Sequence, residues 1–555
     1  MTAAATGGRA LVGALVQGGV RHAFTVPGES FLGVLDALRD APIRTLATRH
    51  EGGAAFMAEG YGQLTGRPAV CLATRAVGAA NLAIGLHTAT ANSTPLLAVI
   101  GQVPRDFRGR ESFQEVDQVA TFGRLCKAAV QVDEPGHLAT ETARLLAVSR
   151  SGRPGPVLLA VPEDVVEAEA GASSPEAAPP EAPALPLDPE TIRRILGGLA
   201  ATSAPLIVAG AGVLRAGAMD ALVAFAERFT VPVMASWRRP DVMPNEHPFY
   251  LGMTGLASPP TVRERFAAAD LVLALGTRLN QMTSFGYALP SAGTRLVQVD
   301  VAPGFAGDRR APDVAVAADV RRFLEAALAL PGAPLPDGSA LARRQAGIAA
   351  DRAAYLAATT LRARPAGTGG DLVDPAAAVR ALAAALPRDA VVTTDAGNFA
   401  GWYARGLRFS AGQRFLGPTS GAMGYALPAA IGASVAEPDR PVVALAGDGG
   451  FAMLMAELET AVRAGAHVTA IVHDNQRYGT IRMDQERTFP GRVVATELGP
   501  LDFGAVAEAC GARAWRVERD ADVAPALEAA LADPGVTLVH LRTDPRRLSV
   551  DRDLA

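Results

Sequence analysis

Gly447-Asp448-Gly449 is followed, 27 positions after its aspartate, by Asn475 in His473-Asp474-Asn475, and those residue types at that spacing suit a divalent cation that anchors a phosphorylated ligand. Upstream, Pro441-Val442-Val443-Ala444-Leu445-Ala446 is an apolar run of strand length, and Phe451, Leu454, Met455, Leu458, Ala461 and Val462 recur at helical spacing. The unit reads as strand, Gly-rich turn through Gly450, helix, strand. Such a turn lets backbone N–H groups approach phosphate oxygens, and the helix N-terminus favours negative charge there. Asp448 and the Asn475 side chain are hard oxygen ligands for Mg²⁺ or Ca²⁺, with a backbone carbonyl near Arg477 as a further ligand and phosphate oxygens and water completing the octahedron. Gly-Asp-Gly alone is also ordinary turn chemistry. The downstream asparagine separates the two readings.

Positioning such groups takes several layers, and 555 residues suffice for three or four domains. Pro205-Leu206-Ile207-Val208-Ala209-Gly210 and Asp270-Leu271-Val272-Leu273-Ala274-Leu275-Gly276 are strand-like runs between helix-like segments, and the alternation predicts an α/β protein with parallel sheets. Pro-, Ala- and Glu-rich sequence from about 167 to 188 and a second break over 331–372, itself holding a helical stretch from 340 to about 361, divide the chain into domains at 1–166, 189–330 and 373–555. With 49% hydrophobic and 19% charged residues and a net charge of −4, no electrostatic feature calls for nucleic acid or a membrane surface. Lys127 is the only lysine, so the arginine excess reflects composition rather than a binding face. Cys71, Cys126 and Cys510 are odd in number and widely spaced, as buried thiols in a reducing cytoplasm would be. The amino-terminal twenty residues lack a basic start and a long apolar core, so a cytoplasmic protein is expected.

The Gly447–Asn475 stretch resembles the thiamine diphosphate motif of the acetolactate synthase, pyruvate decarboxylase and benzoylformate decarboxylase superfamily, with Asp474 where that motif usually has a first Asn. A second segment, Thr48-Arg49-His50-Glu51-Gly52-Gly53-Ala54-Ala55-Phe56-Met57-Ala58-Glu59, is similar to the superfamily's glutamate segment. The resemblance assigns Glu51 to the cofactor's pyrimidine N1′, a task that needs a carboxyl group in an apolar pocket, protonatable near neutral pH. The other reading of Glu51 is a cap on the helix starting near Gly52; Arg49 and His50 receive structural roles. Thr419-Ser420-Gly421-Ala422-Met423-Gly424 is similar to the pyrimidine-site segment, which makes Met423 the wedge beneath the cofactor and the Gly421 carbonyl an acceptor for its amino group. The same resemblance gives the diphosphate and Mg²⁺ to Gly447, Asp448, Gly449, Gly450, Met453, Asn475, Arg477, Tyr478 and Gly479. Asp395-Ala396-Gly397-Asn398-Phe399 replaces a Gly-Gln-His contact, so Asn398 keeps a hydrogen bond that Phe399 cannot make.

Substrate-side motifs divide. Phe113-Gln114-Glu115 and Lys127 resemble acetolactate synthase elements and favour carboligation, with Gln114 orienting a carbonyl acceptor. Thr74-Arg75-Ala76-Val77-Gly78 departs from the synthase Gly-Pro-Gly loop, and Val26-Pro27-Gly28-Glu29 resembles the decarboxylase version, placing the Glu29 carboxylate over the reacting carbon. Arg482 stands where pyruvate decarboxylases need an acid, either as a functional residue or in a structural ion pair. Ala209-Gly210-Ala211-Gly212 begins a dinucleotide-binding turn but lacks its third glycine. The resemblance implies either FAD in that central domain, as in acetolactate synthases, or the same fold empty, with activity independent of flavin expected. Taken whole, it implies three doubly wound parallel-sheet domains (pyrimidine-binding, central, diphosphate-binding), and a homodimer or homotetramer whose subunits share active sites. The expected reaction decarboxylates a 2-oxo acid and transfers the acyl-anion equivalent to a carbonyl acceptor. Release of an aldehyde without ligation is the alternative enzyme, and a binding-only paralogue the non-catalytic one, against which Glu51 argues.

Overall fold

The computed structural model describes residues 6–171, 186–303, 310–362, 364 and 372–553, so most of the Pro-rich stretch near 167–188 and of the loop at 362–370 lies outside the described residues. Three six-stranded sheets follow one another along the chain, and every neighbouring pair of strands is parallel. The expected α/β class with three parallel-sheet domains is what the chain forms. Parallel strands are covered by helices on both faces, which is why they are continuous apolar runs: Leu96–Gln102, LLAVIGQ, is buried throughout. Numbering strands within each sheet, the order is 2-1-3-4-6-5 in the first and third sheets and 6-5-4-1-2-3 in the second. In the first and third the chain departs to opposite sides of strand 1, so the carboxyl ends of strands 1 and 3 part and leave a crevice; in the second this happens between strands 1 and 4.

The helix expected across 451–462 is two, Asp448–Leu454 and Glu457–Ala464. Between them the ladder tightens to three-residue closures, Leu458 N–H to the Met455 carbonyl at 3.0 Å and Glu459 N–H to the Ala456 carbonyl at 3.2 Å. The helical stretch within the second break is Gly338–Ala358, packed on the central domain through Tyr355. Among the described residues no helix is long and apolar enough to cross a membrane.

The first and third domains meet through helices Glu51–Thr65 and Ala426–Ala436, which pack closely because small residues stand at the crossing. A Cβ on Gly432 would fall 2.0 Å from the Met57 carbonyl oxygen, so only glycine permits this approach. Inside the contact the fully buried Glu59 accepts from Asn92 Nδ2 (2.8 Å), Thr94 Oγ1 (2.7 Å) and Tyr425 Oη (2.5 Å), which offsets the desolvation of its charge.

Candidate functional site

The third domain supplies the more complete half of the site. Strand Val442–Gly447 ends in the glycine turn, and helix Asp448–Leu454 begins at Asp448 itself. Asp448 Oδ1 accepts from Gly449 N–H at 2.8 Å; Oδ2 is buried and has no partner among the described residues. Burial first, and the neighbouring Asp474 carboxylate second, push the Asp448 carboxyl up to about 7. A buried carboxylate oxygen left without a donor beside an open glycine turn is what a cation ligand looks like before its cation is added. Strand Val468–Asp474 lies alongside, His473 opposite Gly447, and delivers Asn475, whose Oδ1 accepts from Arg477 N–H at 3.1 Å. The Arg477 carbonyl accepts from Gly479 N–H at 2.8 Å, which leaves it a second lone pair for a metal. The glycines are required: a Cβ on Gly449 would fall 2.5 Å from the Tyr478 ring, and one on Gly450 2.5 Å from Asp395 Oδ2.

These residues wall a cavity of about 700 Å³, a size that holds a cofactor. Gly421, Met423 and Asn398 line it, as do Gly447 to Gly450, Asn475, Arg477, Tyr478 and Gly479. Met453 does not; it is half exposed, with its Cβ toward Gly424. Asn398 accepts from Thr480 Oγ1 at 3.1 Å, and Phe399 stacks on His473 with ring centroids 5.6 Å apart. Asp474, in place of the usual Asn, has a structural role. Its Oδ2 lies 2.9 Å from His540 Nε2 and its Oδ1 accepts from Gln476 N–H at 3.1 Å, so it braces the turn that carries Asn475.

Two residues here carried no signal of their contacts in the sequence. Asp395, at the end of strand Val391–Thr394, accepts from Ala426 N–H at 2.7 Å, and burial pushes its carboxyl up to about 6. Arg238 of the central domain donates to the Asp395 carbonyl at 3.1 Å and lines the same cavity. No local pattern announces either, because their partners are distant in the chain.

The first domain holds the other candidates. Glu51 is the first residue of its helix, but His50 is the cap, its Nδ1 accepting from Gly52 N–H at 2.9 Å. Glu51 accepts instead from Asn81 Nδ2 at 3.0 Å, with Gly78 against it. Arg49 and His50 are structural: their N–H groups donate to Glu457 of the third domain at 3.1 and 3.0 Å, and Arg49 pairs with Glu459. Glu29 follows strand His22–Thr25 and sits 3.3 Å from Arg75, which opens helix Arg75–Asn92. Gln114 accepts from Ala76 N–H through its carbonyl at 3.1 Å, while its side-chain Oε1 is buried and has no partner among the described residues. Glu51, Glu29 and Gln114 are not among the residues lining the 700 Å³ cavity. One chain therefore presents the two sets in separate places.

One expectation needs correction, and of one residue's two readings the contacts favour one. Lys127 is held at the end of helix Leu138–Arg150, where its Nζ donates to the Val148 carbonyl at 2.7 Å and to Ser151, so it is tied down in the first domain's scaffold. Arg482 pairs with Glu497 at 2.6 Å and Glu486 at 3.2 Å, and takes the structural of its two readings.

In the central domain, the turn at Gly210 faces Gly276, and the crevice beside them encloses about 50 Å³. Arg153, Arg215, Arg239 and Arg278 converge there with Asp300, and burial pushes both Arg215 and Arg278 down to about 10.

Comparison with known proteins agrees with this geometry. The thiamine pyrophosphate enzyme N-terminal TPP binding domain matches residues 5–121, the central domain 192–327 and the C-terminal TPP binding domain 395–541. A sulfoacetaldehyde acetyltransferase of Rhodobacter capsulatus is 31% identical, the alignment covering 94% of this chain and 91% of that protein. The acetolactate synthase isozyme 1 large subunit of Escherichia coli is 30% identical over 97% of this chain and 94% of its own. A second sulfoacetaldehyde acetyltransferase, from Castellaniella defragrans, is 32% identical over 95% and 90%.

Proposed function

Because the chain belongs to the thiamine diphosphate-dependent, acetolactate synthase-like superfamily and is an enzyme, we propose that it is a Mg²⁺-dependent carboligase that decarboxylates a pyruvate-like 2-oxo acid and joins the acyl unit to a carbonyl acceptor. The observation that carries this reading is the group of side chains at the carboxyl edge of the first sheet. Glu29, Arg75, Phe113 and Gln114 lie together there, and the Gln114 carboxamide has an oxygen uncommitted to any described residue. The same carboxamide can donate through its Nε2 to the oxygen of a second carbonyl compound, whose recognition plain decarboxylation does not need. Relatives named acetyltransferase and synthase at this identity favour the same class.

When bound, thiamine diphosphate supplies a nucleophilic thiazolium carbon that expels CO₂ from a 2-oxo acid and stores the electron pair. In this reading Asp448, Asn475 and the Arg477 carbonyl hold the metal, and the glycine turn holds the diphosphate. Met423 and Gly421 set the cofactor's shape, and Glu51 exchanges a proton with the pyrimidine N1′. Since Glu51, Glu29 and Gln114 do not line the cavity that Asp448 and Met423 line, we take the working unit to be at least a dimer in which one copy's first domain faces the other's third. We also take the enzyme to be active without flavin: the central crevice of about 50 Å³ is far below the few hundred Å³ of a typical ligand pocket.

The test is product analysis from a panel of 2-oxo acids with and without aldehyde or ketone acceptors. Wild type yields ligated products, and Gln114→Ala loses them by roughly tenfold or more while aldehyde release persists. Aldehyde as the only product across the panel, at a rate that Gln114→Ala leaves untouched, replaces this reading by the simple decarboxylase.

A further inference from the structure

Arg75 stands at the end of strand Ala69–Thr74 with φ of +42°, a left-handed conformation that costs a side-chain-bearing residue and persists where its surroundings impose it. Its guanidinium is buried and engaged on both outer nitrogens. Nη1 is 3.3 Å from Glu29 Oε1 and Nη2 is 3.0 Å from Glu163 Oε2. Phe113 covers it, the ring centroid 6.0 Å from Cζ. Glu163 begins helix Glu163–Glu167 directly after strand Pro156–Pro162, so one side chain joins the loops that follow strands 1, 3 and 6 of the first sheet. The neighbouring carboxylate does not compete, because Asp164 is taken by Arg105 at 2.7 Å. Both ends of the Arg75 fork are held by carboxylates of its own chain, and its buried Nε has no partner among the described residues. Arg75 acts on Glu29, whose carboxylate is otherwise more than half exposed.

We infer that Arg75 is a positioning residue that, anchored by Glu163, keeps Glu29 as an aimed carboxylate and so directs the acyl carbon to ligation instead of protonation. This rests on the carboligase reading. A carboxylate paired with a guanidinium is fixed in direction as well as in place. For Glu29 to release an aldehyde, it must first take a proton from water and then pass it to the acyl carbon, forming the C–H bond and returning to the carboxylate. Arg75, itself fixed by Glu163, holds the Glu29 side chain against the swing that such a delivery needs and leaves the carbon to the carbonyl acceptor.

Pyruvate as sole substrate gives the first readout, the ratio of acetaldehyde to ligated product. Arg75→Met raises that ratio at least tenfold, Glu163→Gln raises it several-fold, and Arg75→Lys returns most of the wild-type value. The second readout needs no cofactor: thermal unfolding of the apo protein. Arg75→Met and Glu163→Gln each lower the melting temperature, and the double variant melts no lower than Arg75→Met alone, as members of one network do. Should Arg75→Met not fold, Glu163→Gln and Arg75→Lys carry both readouts. A ligating wild type whose ratio is the same in the variants, or melting losses that add in full, overturns the inference. Where pyruvate alone gives no ligated product, the ratio is read with the acceptor that the panel identifies; a wild type that releases only aldehyde across that panel overturns the carboligase reading and this inference with it, and is recognised because the melting temperatures still couple.

Discussion

The first and third domains share the strand order 2-1-3-4-6-5, and both gather their polar groups where strands 1 and 3 separate, yet they furnish that place by opposite means. The third uses backbone: Gly447, Gly449 and Gly450 leave room, and one carboxylate oxygen of Asp448 is left bare. The first uses side chains, with Glu29 and Glu163 bound to Arg75 and two non-glycine residues, Arg75 and Gln114, in left-handed conformations. A backbone-built crevice suits an anion and its metal, whose charge is fixed. A side-chain-built one suits discrimination among small carbonyl compounds, since its shape and charge change with single substitutions while the scaffold stays.

The contrast is most sharply broken at Asp448. Asp448→Ala removes a metal ligand, and thiamine diphosphate affinity in the presence of Mg²⁺, measured by calorimetry, falls by about 100-fold or more. Unchanged affinity with Mg²⁺ still required sinks the metal assignment.

A substitution in the first domain sharpens the difference, because there binding and activation separate. Glu51→Gln retains the cofactor but slows exchange of its thiazolium C2 proton by about 10²-fold or more, as loss of a proton relay does. Exchange at the wild-type rate in a cofactor-bound variant makes Glu51 structural.

The smallest effect concerns Asp395, which underlies the third domain's turn. Its folded-state value is raised by burial to about 6, so the native state holds this proton more tightly than the unfolded chain. The resulting stabilisation is complete below the ordinary carboxylate range near 4 and is lost as pH rises through 6, by about 3 kcal/mol over the whole window. Asp395→Asn removes that slope, and the difference in melting temperature between pH 5 and pH 8 narrows relative to wild type. An unchanged difference shows that Asp395 is ionised throughout.

The two domains also differ in how far they were legible. Glycines, an aspartate and an asparagine at fixed spacing on one strand-turn-helix-strand unit form a pattern that a sequence displays, because backbone approach admits only glycine. Arg75 stood in plain view as a departure from a loop, but its partners Glu29 and Glu163 lie 46 and 88 residues away and no periodicity links them. Lys127 misled for a related reason. Resemblance carried it to the active site by its place in the order of residues, whereas its direction was decided by free carbonyls at the end of a helix. Asp474 showed in the sequence only as a departure from the usual Asn, and its partner His540 comes from strand Val536–Arg542, 66 residues further on.

One contact bears on the order in which the molecule is completed as it is made. The backbone N–H groups of Arg49 and His50, at the entrance to the Glu51 helix, are satisfied by a carboxylate about 408 residues downstream, and Gly53 is bare because a Cβ there would strike that same Glu457 oxygen at 2.3 Å. At 5–20 residues per second a ribosome takes roughly 20–80 s to span that distance. The amino-terminal domain therefore leaves the ribosome with the start of this helix unfinished, and the two N–H groups next to Glu51 find their acceptor only once the carboxyl-terminal domain has been synthesised.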